Sequence, residues 1–210
     1  MIHKTIAVFQ HHPAEGVGRM ALWAKQHSIE LECFYAPESL PENLDAYRGL
    51  IILGGPMNVV DNPVWMQTES RLIKQALTQQ VPLLAICLGA QLLAIELGGQ
   101  VIDMPNPELG WHEVTFADGT IMAVPQWHYQ AINLPDSIVS LARSAQCNVQ
   151  MYHHQKAIGL QFHPEWNSAQ IGQLVSHFGD ECPVTNTPHT HAMQDTLEPF
   201  FFKLLTEHFC

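Results

Sequence analysis

Leu50-Ile51-Ile52-Leu53 is an unbroken apolar run that ends abruptly at Gly54-Gly55-Pro56. A half-exposed strand alternates apolar and polar residues, because successive side chains point to opposite faces. A run with no polar position instead fits a strand covered on both faces, as in a parallel sheet flanked by helices. The device recurs. Pro82 to Ile86 is a second buried run, and Ala157 to Phe162, interrupted only by Gln161, reads as a third buried strand that ends at His163-Pro164-Glu165.

Strand and helix signals alternate around these runs. Thr5 to Phe9 reads as a first strand, and Ile29 to Tyr35 alternates as a strand does. Gly16 to His27, Val64 to Gln80 and Leu88 to Leu97 read as helices, the last ended by Gly98-Gly99. This order predicts an α/β fold, an open and mostly parallel sheet with helices on both faces. Between Val101 and Phe162 the pattern changes. Short strand-like pieces recur at Glu113–Phe116, Ile121–Val124, Ile138–Ala142 and Asn148–Tyr152, with no helix between them. They predict a small antiparallel region appended to the parallel sheet. The tail holds two helical stretches, Ser168–Phe178 and Met193–Phe209, around a loop at Gly179–His191 that carries Pro183 and Pro188.

The chain's 210 residues suffice for one well-buried core and are few for two large domains. One domain over residues 1–210 is expected, with its chemical motifs inside residues 50–165 and a helical tail from about residue 168. The formal charge is −11, from 20 acids against nine Lys and Arg, and no basic run stands out. Such a chain repels phosphate backbones and anionic membranes, so neither nucleic acid nor a membrane is expected as a partner. The N-terminus lacks the apolar stretch of a signal peptide, and no apolar run reaches membrane-spanning length. The five cysteines are odd in number and scattered, as reduced thiols are, which places the expected location in the cytoplasm.

Cys87 stands where the second buried run meets a helix. Ala85 and Gly89, two positions to either side, are small. A nucleophile elbow needs small residues there, because its strained turn crowds the neighbouring backbone. A cysteine at a helix N-terminus feels the positive end of the helix dipole, which favours the thiolate. The Leu88 amide would then face an oxyanion on an attacked carbonyl. Taken alone, Cys87 is equally well explained as a small buried hydrophobe. The third run changes the balance. Pro164 holds His163 extended, so His163 and Glu165 point to one side, where the carboxylate can hydrogen-bond the ring and fix its tautomer. A histidine so oriented leaves its other ring nitrogen for a thiol.

These segments resemble the class I (triad) glutamine amidotransferases. The likeness rests on Cys87 and its neighbours, on Gln161-Phe162-His163-Pro164-Glu165, and on Gly54-Gly55-Pro56-Met57, and it spans Leu50 to about Glu165. It is similar above all to the stand-alone proteins that resemble the amidotransferase domain of GMP synthase. The resemblance implies the flavodoxin-like fold of that family. It also implies a cysteine–histidine–glutamate triad that hydrolyses the side-chain amide of glutamine through a γ-glutamyl thioester and releases ammonia. Cys87 is then the nucleophile, His163 the general base and acid, and Glu165 the orienting carboxylate. Gly55 and Leu88 supply the oxyanion-hole amides, and Gln91 contacts bound glutamine. Gly54, Tyr129 and Gln130 complete the expected substrate contacts.

Two departures from the family pattern matter. Ala85 replaces a usual glycine, a mild change. In the expected loop Gln126-Trp127-His128-Tyr129-Gln130, Tyr129 stands where glycine is frequent and Gln130 where an acid is common. A bulky Tyr129 is expected to alter the pocket floor, which loosens the substrate assignment without touching the thiol chemistry. Glutamine hydrolysis feeding a separate synthetase therefore stands beside two alternatives, a hydrolase of γ-glutamyl peptides or conjugates and a non-catalytic small-molecule sensor. His11-His12, His153-His154 and His189-x-His191 lack zinc-site spacing and read as loop histidines. No phosphate-binding loop is present, and neither a metal nor a cofactor is expected. Trp111 and the Phe200–Phe202 run read as packing residues.

Overall fold

The computed structural model describes residues 4–210, apart from the side chains of residues 188 and 189. β1 (Thr5–Gln10), α1 (Met20–Gln26), β2 (Glu30–Tyr35), β3 (Gly49–Ile52), α2 (Val64–Gln79), β4 (Leu83–Ile86) and α3 (Leu88–Glu96) alternate as the pattern predicts. Then come β5 (Gln100–Phe116), β6 (Ile121–Asn133), β7 (Ser140–Arg143), β8 (Met151–His154) and β9 (Ala157–Leu160), followed by α4 (Ser168–Phe178) and α5 (Pro188–Phe209). All nine strands join one sheet in the order β2-β1-β3-β4-β9-β8-β7-β5-β6. The first five of that order run parallel, and β8, β7, β5 and β6 are antiparallel to their neighbours.

The continuous apolar runs occupy the middle of the sheet because both faces there are covered. β3, β4 and β9 are buried at every position. Alternate residues serve opposite layers. Ile6, Val8, Ile51, Leu84 and Ile86 pack against Trp23 of α1 and against Leu197, Phe201 and Leu205 of α5. Their neighbours Ala7, Phe9, Leu50, Ile52, Leu83 and Ala85 pack against Leu72, Ile73 and Ala76 of α2 and Leu92 and Leu93 of α3. A one-residue slip of any central strand would exchange the two sets, so burial on both faces fixes the register.

Three elements differ from the sequence reading. α1 starts at Met20 instead of Gly16, because Gly18 adopts φ +52° and a Cβ there would fall on the Glu165 carbonyl oxygen. The antiparallel pieces are longer than their apolar patterning suggests. β5 spans 17 residues and β6 spans 13, and together they form one long hairpin. It takes in the Gln126–Gln130 segment that was expected to be a loop. The hairpin is irregular between Asp103 and Glu108, around Pro105 and Pro107, which cannot donate to the ladder. Finally, α5 begins at Pro188, so most of the loop expected at Gly179–His191 is a 3-10 turn (Gly179–Glu181) or helix.

All five cysteines are free. Among the described residues no helix is long and apolar enough to cross a membrane. Of Met1-Ile2-His3-Lys4-Thr5, on which the signal-peptide reading was made, the first three lie outside the described residues. The last turn of α5 is pinned to the sheet where His208 Nε2 donates to the Leu83 carbonyl at 3.1 Å. Burial pushes the His208 ring down to about 4, so it is neutral in the folded state at neutral pH. The unfolded chain takes up that proton near pH 6.5, and the folded state resists it until about pH 4. Stability supplied by this group is therefore complete above about pH 6.5 and lost on acidification towards pH 4. His208→Gln, which keeps a donor without a titrating group, should shift the acid-unfolding midpoint to lower pH, as followed by circular dichroism.

Candidate active site

The carboxyl ends of parallel strands are where open α/β sheets collect ligand-binding residues, because the loops there converge. Four adjacent strands contribute here. β1 leads to His11 and Glu15, β3 to Gly54 and Gly55, β4 to Cys87, and β9 to His163 and Glu165. Cys87 sits at φ +50°, ψ −106°, outside the regions an L-residue adopts freely, and α3 starts at the next residue. The strain is held from several sides. The Cys87 amide donates to Leu160 of β9 at 2.8 Å. Gly89 lies so close to Ile52 that a Cβ would stand 2.6 Å from its carbonyl oxygen. The smallness of Gly89, noted in the sequence, thus has a direct steric cause.

His163 and Glu165 meet as their spacing suggests, with Nδ1 2.8 Å from Oε1 and both side chains almost wholly buried. The ring is stacked on Trp166 at 3.7 Å and 13°, and the His163 amide donates to Pro125 of β6 at 3.0 Å. Burial alone would discharge this ring. The Glu165 carboxylate and the Cys87 sulfur beside it outweigh burial and push it up to about 10. A thiol paired with so basic an imidazole can pass its proton to the ring and attack as the thiolate. The Cys87 sulfur also lies 3.9 Å from the Trp127 carbonyl.

Gly54 occupies the gap between these groups. A Cβ there would stand 2.7 Å from the His163 ring and 3.4 Å from the Cys87 Cβ. Among the described residues no backbone carbonyl accepts from the Gly55 amide. The Leu88 amide begins α3, where the first-turn N–H groups have no partner inside the helix. A cavity of about 250 Å³ opens over Cys87 and His163, of a size for an amino acid or a short conjugate. Gln91, Tyr129 and Gln130 line it, with Gln91 Nε2 3.5 Å from the Gln130 carbonyl and Gln130 itself donating to Asp103 at 2.9 Å. Tyr129 is 57% exposed, so it stands at the mouth of the cavity instead of forming its floor. Behind that strand His128 lies 3.1 Å from the buried Glu108.

Sequence reasoning missed several polar residues in this region. Glu15 is buried and lines the cavity, and burial pushes its carboxyl up, opposed by the nearby His163. His11 lies in the loop after β1, as read, but is fully buried beside Gly54. Arg19 is buried too. It donates to the Trp166 carbonyl at 2.8 Å and to Gln194 of α5, which ties the segment after Glu165 to the C-terminal helix. None of these lies in an apolar run, and the adjacent His11-His12 pair carries no sign of burial, so no pattern marks them as buried. Among the described residues no cluster of His, Cys, Asp or Glu could hold a metal ion, and the His189 side chain lies outside those residues.

Residues 23–178 match the glutamine amidotransferase class-I family. The chain belongs to that family. It is 29% identical over 190 residues to the glutamine amidotransferase-like protein YfeJ of Salmonella typhimurium, covering 81% of this chain and 80% of that one. It is 31% identical over 179 residues to a glutamine-hydrolyzing GMP synthase subunit of Picrophilus torridus, covering 76% and 90% respectively. A solved glutamine amidotransferase from Thermotoga maritima superposes with a TM-score of 0.86 at 25% identity, covering 98% of both chains. The class-I amidotransferase fold therefore runs through nearly the whole chain, well beyond the Leu50–Glu165 stretch that carries the motifs.

Gly54→Ala in this amidotransferase would drive a methyl group into the His163 ring. On the expected role of His163 as base, it should lower turnover by about 10²-fold or more, since the displaced ring no longer reaches the thiol. Its thermal midpoint should stay near that of the wild type, and a variant that turns over normally would contradict the geometry.

Proposed function

We propose that this chain hydrolyses the side-chain amide of glutamine through a γ-glutamyl thioester on Cys87. The observation that carries the reading is the strained Cys87 beside the buried His163–Glu165 pair at the carboxyl edge of the sheet. In the first step the Cys87 thiolate attacks the amide carbon, and the carbonyl π electrons move onto oxygen. The Gly55 and Leu88 amides receive that oxyanion. The protonated His163 gives its proton to the nitrogen as the carbon–nitrogen bond breaks, and ammonia leaves. In the second step His163 takes a proton from water, hydroxide adds to the thioester, and glutamate departs as the carbon–sulfur bond breaks. Glu165 holds the ring in the tautomer that faces the thiol throughout. The chain works on this reading as one domain.

The ammonia would pass to a separate synthetase. Support comes from the relatives that are named as subunits of a glutamine-hydrolyzing GMP synthase. One observation favours a second reading, hydrolysis of a γ-glutamyl peptide or conjugate. Tyr129 at the cavity mouth adds an aromatic surface on which a leaving group larger than ammonia could rest.

Ammonia release from glutamine by the purified protein tests the first reading. Cys87→Ala should fall to background, and Glu165→Gln should lower kcat by about 10²-fold with KM little changed. Intact γ-glutamyl hydrolysis by Cys87→Ala would rule out the thioester. A panel of γ-glutamyl peptides and amides separates the two substrates. Glutamine should be turned over best, and a conjugate that outruns it would transfer the assignment to the second reading.

A further inference from the structure

Gly54 and Gly55 are adjacent glycines in the loop after β3. The peptide between them has little intrinsic reason to face one way, because neither residue has a Cβ to restrict it. Its orientation nevertheless decides where the Gly55 amide points. In a trans peptide the carbonyl and the following N–H face opposite directions. The Gly54 carbonyl is held by His11, with Nδ1 2.9 Å from the oxygen. The other ring nitrogen, Nε2, lies 3.1 Å from both oxygens of Glu69 on α2. Both side chains are wholly inaccessible to solvent, and the ring packs on Trp65 with centroids 5.4 Å apart. A Cβ on Gly55 would stand 2.6 Å from the Cβ of His11, so the glycine loop rests directly on this residue.

We propose that His11 and Glu69 are positioning residues that clamp the Gly54–Gly55 peptide so that its amide faces the Cys87 thiol. The proposal rests on the reading that this amide receives the oxyanion. Its chemistry follows from the partners. A carbonyl oxygen and a carboxylate are both acceptors, so both contacts are satisfied only when both ring nitrogens carry protons. His11 is then an imidazolium. Burial is the largest influence and opposes that charge, but Glu69, the Gly54 carbonyl and Glu15, the other acid facing the ring, together outweigh it and raise the ring above its ordinary value. The strength of a buried, charge-assisted hydrogen bond is thereby applied to one peptide plane. Glu69 tethers the ring to α2, so the sheet edge and the helix layer jointly set the direction of the amide.

Two reagents separate the clamp from the triad. p-Nitrophenyl acetate acylates a thiolate through a tetrahedral oxyanion, with p-nitrophenolate as leaving group. Iodoacetamide alkylates the same thiolate by displacing iodide, with no oxyanion. Both reactions can be followed at Cys87 by peptide mass mapping in the full-length protein. His11→Phe keeps a ring against Trp65 and removes both donors. It should slow acylation by about 10²-fold, the usual effect of losing one oxyanion donor, and change alkylation by no more than about threefold. His11→Asn restores an N–H near the Nδ1 position and should recover acylation to within about tenfold of wild type. Parallel losses in both reactions, or unchanged acylation in His11→Phe, would overturn the clamp, as would wild-type Cys87 that alkylates but does not acylate. If His11→Phe does not fold, nitrogen NMR of the wild-type ring decides. Both ring nitrogens should be protonated at pH 7, and a neutral His11 would refute the proposal. A wild-type protein that shows the acylation effect but releases nothing from glutamine or any γ-glutamyl compound would remove the proposed function and leave the clamp standing.

Discussion

The backbone of Cys87, at φ +50° and ψ −106°, is the constraint around which this site is arranged. Such a conformation is unfavourable by about 1–3 kcal/mol and persists only where the surroundings over-determine it. The Cys87 amide is tied to β9, the Cys87 carbonyl accepts from Gln91 in the first turn of α3, and Gly89 is pressed against Ile52 of β3. Three strands and a helix therefore have to be in register before the sulfur can stand where it does. The strain keeps the thiol at the edge of the sheet.

The rest of the site consists of attachments to that edge. Glu165 is reached from two directions. His163 binds its carboxylate, the Arg19 amide donates to its carbonyl at 2.8 Å, and Gly18 leaves room for that contact. Arg19 in turn binds Trp166 and Gln194, so α5 braces the histidine–glutamate segment from behind. The antiparallel hairpin closes the other side, where Pro125 accepts from the His163 amide and Trp127 approaches the sulfur. Buried polar groups hold each attachment. An unmade hydrogen bond in such a place costs about 1–3 kcal/mol, so these contacts also specify one arrangement of the loops.

The parallel half of the sheet was legible because β3, β4 and β9 are apolar at every position, β2 alternates, and α2 has one apolar face. The hairpin was less so. Its strands carry Pro105, Pro107 and Pro125 and mixed polarity, and their pairing depends on contacts far apart in sequence. The positions of Cys87, His163 and Glu165 were legible for a local reason in each case. Cys87 sits between a buried run and a helix, and Pro164 forces His163 and Glu165 to one side. Tyr129 was recognised as a departure, but its place at the cavity mouth follows from the hairpin geometry, which no local pattern contains.

Sequence by itself determined which segments must be buried on both faces, where the chain turns sharply, and which thiol, imidazole and carboxylate side chains stand at those turns. These properties depend on neighbours within a few positions, through side-chain alternation, small residues at an elbow and the stiffness of proline. Only the tertiary structure decided that His11, Glu15, Arg19 and Glu69 belong with them. His11, Arg19 and Glu69 are polar residues whose burial is tolerated because a partner lies dozens of positions away, as Glu69 does for His11 and Trp166 for Arg19, and the buried Glu15 feels the distant His163. Such pairings are a property of how the layers stack, and the local chain has no means of announcing them.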